Sequence, residues 1–519
     1  MRVLLCQPLG SLREPSVHIR MCYVEPLGLE YITSALQEAG HNVRLAFPID
    51  SIGELKREIA QDQPDVVCIS VYTYARDEAT TWAKTVKEIS PSTIVVMGGH
   101  HPTAVPEDVL GPYVDFAVIG EGEHTITHLL EAIGKGSDPN EVQGIAYLLG
   151  TQLVRTSARP RIHDIDALPY PHRMRSFLSE AKNYQVIVPP PSKQVSLAQV
   201  FYSRGCPNNC EFCSSALTWG RTVVWRKPDI VLDEIEKLQQ DYGTNVVYFP
   251  DLELNTSPKK LHELCDEFQK RNLGVSWWGL FSARNLDDDL LDHLVESGCV
   301  KISVGVEGVG DAAIQNLKSR DDLKWEYIKG RFEKAQDVGL LTRVFIMIGN
   351  EWDTVEYYEY ICKELPTLAA DDLRVSFTTP FPGTSLYKRY LESNKNVVPD
   401  FSMYHTEYPV LINKHMSPSE LLQWKFSIIE SFYQSEYFKF RVISRIKKFP
   451  NLKQPYIEYL YRLRVKGGTS NIKIDELLNV LTGQVRLEGS ANPGHNKIVY
   501  SLSTPPSNPS LHPAKHFLP

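Results

Sequence analysis

The sequence predicts an α/β protein in which two units of alternating strands and helices are joined by a connector and followed by a mostly helical C-terminal region. Three observations support this fold class. Short apolar runs alternate with amphipathic helical stretches over residues 1–140 and again over 194–408. Residues 141–193 include a proline run, which is typical of a semi-rigid spacer. The chain of 519 residues is too long for one ordinary core, so we expect two or three domains.

The first unit, residues 1–140, has the pattern of an open parallel sheet with helices on both faces, as in doubly wound Rossmann-like folds. Helix-period apolar positions occur in LGLEYITSALQEAG and RDEATTWAKTVKEI. Ligands of such sheets bind beyond the carboxyl ends of the strands, so the loops that follow the strands are the candidate binding segments. The predicted strands are RVLLC, NVRLA, DVVCISV, TIVVMG and DFAVIG.

The connector and the second unit follow in order. Residues 141–193 contain a possible hairpin, GIAYLLGTQLVRT, and the proline run VPPPSK. Residues 194–408 hold about six strand and helix pairs, which predicts a partial (β/α)6 barrel whose active residues lie at the carboxyl ends of its strands. The predicted barrel strands are LAQVFYS, NVVYFP, VSWWGL, KISVGV, TRVFIMIG and LRVSFTTP.

The C-terminal region, residues 409–490, contains one strong amphipathic stretch, LLQWKFSIIESFYQSEYFKFRVISRIKKF. A membrane-surface helix, a partner-binding helix and a lid are alternatives, but a helical cap packed on the barrel is the favoured interpretation. Residues 491–519 are rich in Pro, Ser and Asn, and we expect them to be disordered.

The composition narrows the class of protein. The chain is 42% hydrophobic and 23% charged with a net charge of -8, which argues against a nucleic-acid surface as its main partner. No apolar run is long enough for a transmembrane helix, and no secretory signal opens the chain, so we expect a cytoplasmic protein. Six scattered cysteines fit buried reduced thiols better than a disulfide framework.

The other three cysteines, Cys206, Cys210 and Cys213, form a C-x3-C-x2-C triplet in FYSRGCPNNCEFCSSA. This spacing favours an iron-sulfur cluster, because cysteine thiolates are its usual ligands and one loop can bring all three together. Three ligands leave one iron open for a substrate or cofactor. Structural zinc is the alternative, but no second C-x2-C pair or nearby His completes a zinc shell. A disulfide is the weakest interpretation.

The triplet resembles the signature of the radical SAM superfamily, in which it follows the first strand of a partial barrel and an aromatic residue, here Phe212, precedes the last Cys. The resemblance implies a 4Fe-4S cluster whose open iron binds S-adenosyl-L-methionine (SAM). One-electron reduction would then cleave SAM and give a 5′-deoxyadenosyl radical that abstracts hydrogen from unactivated carbon.

The same resemblance implies five SAM-binding residues after or within the barrel strands. The DLELN turn is similar to a family motif that binds the amino group of SAM, which would make Glu253 or Asp251 the carboxylate. Capping of the next helix is an equally good interpretation for Asp251. By the same likeness, Arg284, Glu307 and Arg343 would contact the carboxylate or ribose of SAM, although an ordinary ion pair is an alternative for an arginine.

The first unit resembles the cobalamin-binding domain that precedes many radical SAM enzymes. The likeness rests on EPLGLEYITSALQEAGH, GGHHPTAVPEDVL and VDFAVIGEGEHT. Glycines would allow the backbone to approach the corrinoid, and hydroxyls would bond its amide side chains. The implied cobalamin-binding residues are Ser70, Tyr72, Thr73, Gly98, Gly99, Thr103, Gly120, Glu121 and Gly122.

One feature departs from corrinoid proteins that supply a lower-face histidine. Their D-x-H-x-x-G motif is absent after the first strand, where the chain reads QPLGSLREPSVHIR. We therefore expect cobalamin to bind without a histidine at that position, with His18, His100 and His101 in solvated or supporting roles. Tyr72, Tyr74 and Arg76 are expected near the lower face of cobalt.

Together these likenesses identify the chain as a cobalamin-dependent radical SAM enzyme, similar to the class B methylases over roughly residues 1–440. They imply a methyltransferase that uses the deoxyadenosyl radical and methylcobalamin to methylate an unactivated carbon of a small-molecule or natural-product substrate. An oxidative cyclase or ring-rearranging enzyme is the alternative. A corrinoid carrier, an Fe-S sensor and a zinc-stabilised binding module are the non-enzyme alternatives. An external low-potential donor such as flavodoxin or ferredoxin would supply the electron.

Overall fold

A computed structural model describes residues 1–10, 25–174, 195–318, 323–392, 398–466 and 474–482. The predictions for His18, for the VPPPSK run and for the tail 491–519 lie outside these residues. Among the described residues, no helix is both long and apolar enough to cross a membrane.

The first sheet begins with five parallel strands in the order β2-β1-β3-β4-β5. The chain order reverses between β1 and β3, which is the switch point where doubly wound sheets bind ligands. Along β1, Leu4 and Cys6 enter the core on one face, and Val3 and Leu5 enter the core on the other. Both faces are therefore covered, which explains the continuous apolar runs. The strands are β1 (Arg2–Cys6), β2 (Asn42–Ala46), β3 (Val66–Ser70), β4 (Ile94–Gly98) and β5 (Phe116–Val118), and the helices are α1 (Leu27–Glu38), α2 (Ile52–Asp62), α3 (Arg76–Ile89), α4 (His100–Ala104) and α5 (Glu123–Lys135).

A hairpin extends this sheet beyond its predicted edge. Strands β6 (Ile145–Leu149) and β7 (Gln152–Arg155) pair antiparallel with each other, and β6 pairs antiparallel with β5. The hairpin predicted within the connector is thus present, and it belongs to the first sheet.

The second sheet has six parallel strands in the order β8-β11-β12-β13-β14-β15, which confirms the partial barrel. A two-stranded antiparallel ribbon, β9 with β10, stands at the carboxyl end of β8. The strands are β8 (Leu197–Gln199), β9 (Ser203–Arg204), β10 (Val224–Trp225), β11 (Val246–Phe249), β12 (Ser276–Phe281), β13 (Cys299–Glu307), β14 (Leu341–Ile348) and β15 (Asp372–Phe377). The helices are α6 (Ser215–Trp219), α7 (Pro228–Tyr242), α8 (Pro258–Arg271), α9 (Asp288–Glu296), α10 (Asp311–Lys318), α11 (Trp325–Asp337), α12 (Val355–Glu364) and α13 (Ser385–Glu392).

The C-terminal region is helical, as predicted, and shares the barrel core. Its helices are α14 (Pro418–Gln434), α15 (Glu436–Lys448), α16 (Lys453–Lys466) and α17 (Asp475–Thr482). Helix α14 begins with a capping box made by Ser417 and Glu420. Apolar residues such as Phe432 and Leu460 join the same buried cluster as Val344 of the barrel. The amphipathic stretch therefore packs against the barrel.

Candidate active site

The cysteine loop starts at the β9-β10 ribbon. Gly205 follows β9 with a φ of 106°, a region that glycine adopts without steric cost. A Cβ at this position would lie 2.2 Å from the carbonyl oxygen of Thr222, so no larger side chain fits without movement of the backbone. The Cys206 N–H then donates to the Gly220 carbonyl at 3.3 Å, and the Cys213 N–H donates to the Cys210 carbonyl at 3.1 Å. These contacts fold the three cysteines into one compact loop.

The three thiols are close enough to affect one another's charge. Burial raises the pKa of the Cys210 thiol, Lys318 opposes the shift, and Cys213, Glu307 and Cys206 add to it, which leaves the pKa at about 11. Cys206 and Cys210 are half-buried and Cys213 is exposed. In the described part of the chain, no three Cys, His, Asp or Glu side chains surround a single point as one metal ion requires. Three cysteine thiolates on one loop are the usual ligands of an iron-sulfur cluster.

The two carboxylates of the DLELN turn have different surroundings. Glu253 is half-buried and accepts a hydrogen bond from the amide of Asn208, a residue between the first two cysteines of the loop. Asp251 is fully buried and accepts hydrogen bonds from Tyr202 N (3.0 Å), from the Ser203 hydroxyl (2.6 Å) and from Ser203 N. Glu253 therefore faces the cysteine loop, whereas Asp251 holds the backbone that leads into it.

Glu307 also lies near the cysteines, at the carboxyl end of β13. Its φ of 71° is unusual for a residue with a side chain. Its carboxylate folds back over Gly305, where a Cβ would meet Glu307 Oε1 at 2.5 Å, and Lys318 donates to the Gly305 carbonyl. Burial raises the pKa of Glu307 and Lys318 opposes that shift. Glu253 and Glu307 are the two predicted SAM residues that the structure brings beside the cysteine loop.

The two predicted arginines are placed differently. Arg284 is exposed in the turn after β12, and its backbone carbonyl accepts a hydrogen bond from Tyr327. Arg343 lies in the amino-terminal half of β14 and forms an ion pair with Asp372, the first residue of β15. Lys301 shares Asp372 at 3.0 Å. Arg343 thus belongs to a buried charge cluster in the amino-terminal part of the barrel strands.

A cavity of about 820 Å³ lies between the two sheets, beyond the carboxyl ends of their strands. Gly205 and Ser215, on either side of the three cysteines in sequence, border it from the barrel side. From the first sheet it is bordered by seven of the predicted cobalamin residues, namely Ser70, Tyr72, Gly98, Gly99, Gly120, Glu121 and Gly122. The predicted corrinoid loops therefore line one cavity that also reaches the cysteine loop.

The other two predicted cobalamin-binding residues, Thr73 and Thr103, are not among the residues that border the cavity and instead hold the loops in place. Thr73 is buried, with its hydroxyl 3.3 Å from His101 Nδ1, and the Thr103 hydroxyl accepts a hydrogen bond from Gly120 N at 3.0 Å. Gly99 has a φ of 99°, and a Cβ there would lie 3.0 Å from the backbone nitrogen of Val71. The loops after β3, β4 and β5 are thus fixed to one another, and the bare backbone of Gly99 allows close approach by a ligand.

Aromatic rings and a histidine form one wall of the cavity. Tyr72 stacks on Tyr74 at 5.6 Å between ring centres and on His100 at 5.3 Å. His100 Nδ1 lies 3.2 Å from the Thr218 hydroxyl of α6, and burial lowers the pKa of His100. Arg76 instead pairs with Asp108 at 2.9 Å. Tyr72, Tyr74 and His100 border the cavity, whereas Arg76 is held by its ion pair with Asp108.

Sequence reasoning missed Arg204, the residue that precedes Gly205. Its guanidinium is buried and pairs with Glu121 (3.2 Å), in the loop after β5, and with Glu123 (2.7 Å), the first residue of α5. Although burial disfavours the cation, Glu123 and the other acidic groups around it raise the pKa of Arg204 above its ordinary value. Its position beside the first cysteine was the only signal for it in the sequence.

Two family models match the chain. A B12-binding domain matches residues 22–130, and the radical SAM superfamily matches residues 200–393. An uncharacterized methyltransferase of Pyrococcus horikoshii is 28% identical over 416 residues, which cover 79% of this chain and 87% of that protein. The anaerobic magnesium-protoporphyrin IX monomethyl ester cyclase of Synechocystis is 26% identical over 505 residues, which cover 94% and 95%.

The solved structures show the same fold. The radical SAM methyltransferase TsrM from Kitasatospora setae, with cobalamin and a 4Fe-4S cluster bound, superposes with a TM-score of 0.62 at 19% identity. The match covers 76% of this chain and 78% of TsrM. The B12-binding match falls within residues 1–140 and the radical SAM match within residues 194–408, and loops of both units line the shared cavity. The chain therefore belongs to the radical SAM enzymes that carry an N-terminal B12-binding domain, and its cofactors are a 4Fe-4S cluster, SAM and cobalamin.

Proposed function

We propose that this enzyme is a methyltransferase that adds a methyl group to an unactivated carbon of a small-molecule substrate. The observation that carries the proposal is the single cavity bordered by the predicted cobalamin loops and by both ends of the cysteine loop. Such a cavity would hold the methyl-carrying cofactor beside the site where SAM binds. The name of the Pyrococcus horikoshii relative supports the same reaction class.

Each group of residues has its own part in this proposal. When bound, the cluster and SAM supply the 5′-deoxyadenosyl radical and cobalamin supplies the methyl group. Cys206, Cys210 and Cys213 would hold the cluster. Glu253 and Glu307 would bind the ammonium and ribose of SAM, because carboxylates accept charge-assisted hydrogen bonds from an ammonium and hydrogen bonds from hydroxyls. Asp251 would position the loop through its bonds to Tyr202 and Ser203.

The electron that cleaves SAM would come from an external low-potential donor such as flavodoxin or ferredoxin. This donor would deliver one electron to the cluster that Cys206, Cys210 and Cys213 would hold.

A cyclase or ring-rearranging reaction is the second candidate. The cyclase of Synechocystis aligns over nearly the full length of both chains, so the likeness to it is as extensive as any likeness to a methyltransferase reported above. In that case cobalamin would not act as a methyl donor, and SAM would give 5′-deoxyadenosine alone.

The test is anaerobic purification, reconstitution with iron, sulfide and hydroxocobalamin, and incubation with methyl-labelled SAM and a low-potential reductant. We expect 5′-deoxyadenosine together with label on the recovered cobalamin. Cys210→Ala should abolish 5′-deoxyadenosine. The matched control is Cys362→Ala, because Cys362 is also a half-buried cysteine but lies on α12, in the helical layer around the barrel.

The products separate the candidates. Transfer of the labelled methyl group from SAM to the cobalamin added during reconstitution supports methyl transfer. Formation of 5′-deoxyadenosine without such label would favour the cyclase or rearrangement. Protein that holds zinc but neither iron nor cobalamin would contradict both reactions.

A further inference from the structure

Arg204 connects the cysteine loop to the cobalamin loops. It is the last residue of β9, and only Gly205 separates it from Cys206. Its side chain is only 2% exposed, although arginine is rarely buried unless it is paired. The burial of a cation at this point needs compensating contacts, and the carboxylates that pair with it come from the other domain.

Those carboxylates follow β5 of the first sheet. The Arg204 guanidinium uses one terminal nitrogen for Glu121 and the other for Glu123. Glu121 also accepts a hydrogen bond from Ile162 N at 2.8 Å. A planar guanidinium that engages two fixed carboxylates restricts both distance and orientation, which a single ammonium does not do.

Aromatic rings from both domains enclose the same guanidinium. Its central carbon lies 4.8 Å from the ring centre of Trp219, 5.1 Å from that of Tyr31 and 5.7 Å from that of Phe201. Tyr31 belongs to α1 of the first domain, and the other two rings belong to the second. Cation–π contacts gain strength where water is excluded, as it is here.

The backbone at Gly205 links the position of Arg204 to that of the cysteines. Gly205 packs tightly against Thr222, so the chain between Arg204 and Cys206 cannot shift without moving the β9-β10 ribbon. We propose that Arg204 is a positioning residue that fixes the distance between the iron-sulfur cluster and cobalamin. This proposal rests on the two cofactors of the family and does not depend on methyl transfer as the reaction.

The experiment measures the magnetic interaction between the reduced cluster and cob(II)alamin by electron paramagnetic resonance in the fully loaded enzyme. Arg204→Lys keeps the charge but cannot bond both carboxylates through a planar fork. We expect this variant to retain iron and cobalamin at wild-type levels and to show a changed spin–spin interaction. Transfer of labelled methyl from SAM to cobalamin should fall by about 100-fold, the effect expected of a displacement near 1 Å.

Arg441→Met is the matched control. Arg441 is also a buried arginine with aromatic rings on it, Phe432 at 5.7 Å and Phe438 at 5.9 Å, but it lies on α15 and donates to backbone carbonyls that precede β15. The spin–spin interaction should be unchanged in this variant. If Arg204→Lys does not fold, Glu123→Gln is measured in its place, because it leaves Arg204 with Glu121.

Two results would overturn the proposal. A wild-type spin–spin interaction in the measured variant would show that the cofactor distance does not depend on these bonds. Loss of cobalamin with retention of the cluster would assign the contacts to cofactor binding. A wild-type enzyme that shows the interaction but transfers no methyl group would contradict the proposed reaction and leave the role of Arg204 standing.

Discussion

Individual residues around the cysteine loop have roles that residue type alone does not reveal. Asp251 and Glu253 lie two positions apart in one turn, yet one holds the backbone of Tyr202 and Ser203 while the other faces Asn208. The sequence pattern predicted that a carboxylate of this turn binds SAM, but it could not say which, because the choice depends on partners that are distant in the chain. Arg204 was missed for the same reason.

Glu253→Gln should weaken SAM binding by roughly tenfold, since an amide forms a weaker bond to an ammonium than a carboxylate does. The affinity is measured by equilibrium binding to the reconstituted protein. Glu263→Gln serves as a control, because Glu263 pairs with Lys260 on the outer helix α8. Equal affinities of the two variants for SAM would show that the carboxylate of Glu253 does not bind SAM.

Gly205→Ala should prevent assembly of the cluster. The positive φ alone costs roughly 1–2 kcal/mol for alanine, and the contact with Thr222 adds to this cost. Iron and sulfide content after reconstitution measures the effect. Gly136→Ala is the control, since Gly136 also has a positive φ but a Cβ there would meet no atom within 4 Å. Stoichiometric iron in Gly205→Ala would show that the loop tolerates the displacement.

Lys301 gives the protein a pH-dependent stability. Burial and the nearby Arg343 lower the pKa of Lys301 to about 7, although Asp372 opposes the shift. Between this value and the ordinary lysine pKa of about 10.4, the unfolded chain binds a proton that the folded chain has released. The contribution of Lys301 to stability must therefore increase as the pH rises above 7.

The unfolding free energy of wild type minus that of Lys301→Met should increase with pH, by up to about 1.4 kcal/mol per pH unit. Urea unfolding at pH 7 and about pH 9 measures it. A difference that stays constant would mean that Asp372 keeps the ammonium protonated throughout this range.

At the scale of elements, the alternation of apolar runs and amphipathic stretches was sufficient to predict every strand of both parallel cores. The hairpin β6-β7 was recognised, but its place in the first sheet was not. A hairpin satisfies its own hydrogen bonds locally, so nothing in its sequence identifies β5 as the neighbour that it extends. The pairing became visible only in three dimensions.

The C-terminal helices are bonded to the barrel by a chain of tyrosines. The Tyr459 hydroxyl donates to Asp372 at 2.6 Å and lies 2.7 Å from the Tyr433 hydroxyl, which accepts a hydrogen bond from Leu373 N. These bonds join α14 and α16 to the first residues of β15. The amphipathic stretch is therefore attached by polar contacts as well as by its apolar face.

Tyr459→Phe should lower the free energy of unfolding by about 1–3 kcal/mol, because it removes a buried hydrogen bond to a charged group. Chemical unfolding measures the loss. The control is Tyr461→Phe on the same helix, because Tyr461 is 42% exposed and little change is expected. Equal stabilities of the two variants would show that the chain of tyrosines contributes nothing.

At the scale of the whole molecule, the two domains share buried polar contacts as well as a cavity. Gln199 at the end of β8 donates to the Glu25 carbonyl at 2.9 Å, and its backbone N–H donates to the Glu25 carboxylate at 2.9 Å. Arg173 of the connector pairs with Glu25 of the first domain and Glu234 of the second. The domain order was predictable from motifs, but these contacts were not, because each joins residues that are far apart in the chain.

Trp219→Ala should weaken cobalamin binding by roughly tenfold, or about 1.4 kcal/mol, although Trp219 lies outside the B12-binding domain. The reason is that this ring borders the cavity from the barrel side. Cobalamin affinity is measured by absorbance titration, with Tyr437→Ala as an exposed aromatic control. Unchanged affinity would mean that the first domain binds the corrinoid by itself.

The shared cavity is bordered by segments that leave the two sheets and by core residues of the first domain such as Leu5, Val96 and Val118. A substitution in one of the bordering loops can therefore reshape the chamber without replacing a residue of either core. This separation explains how proteins named for a methyl transfer and for a ring closure keep alignable chains over most of their length. In such an architecture the reaction can change through the loops around the chamber while the two sheets that bring the cofactors together are kept.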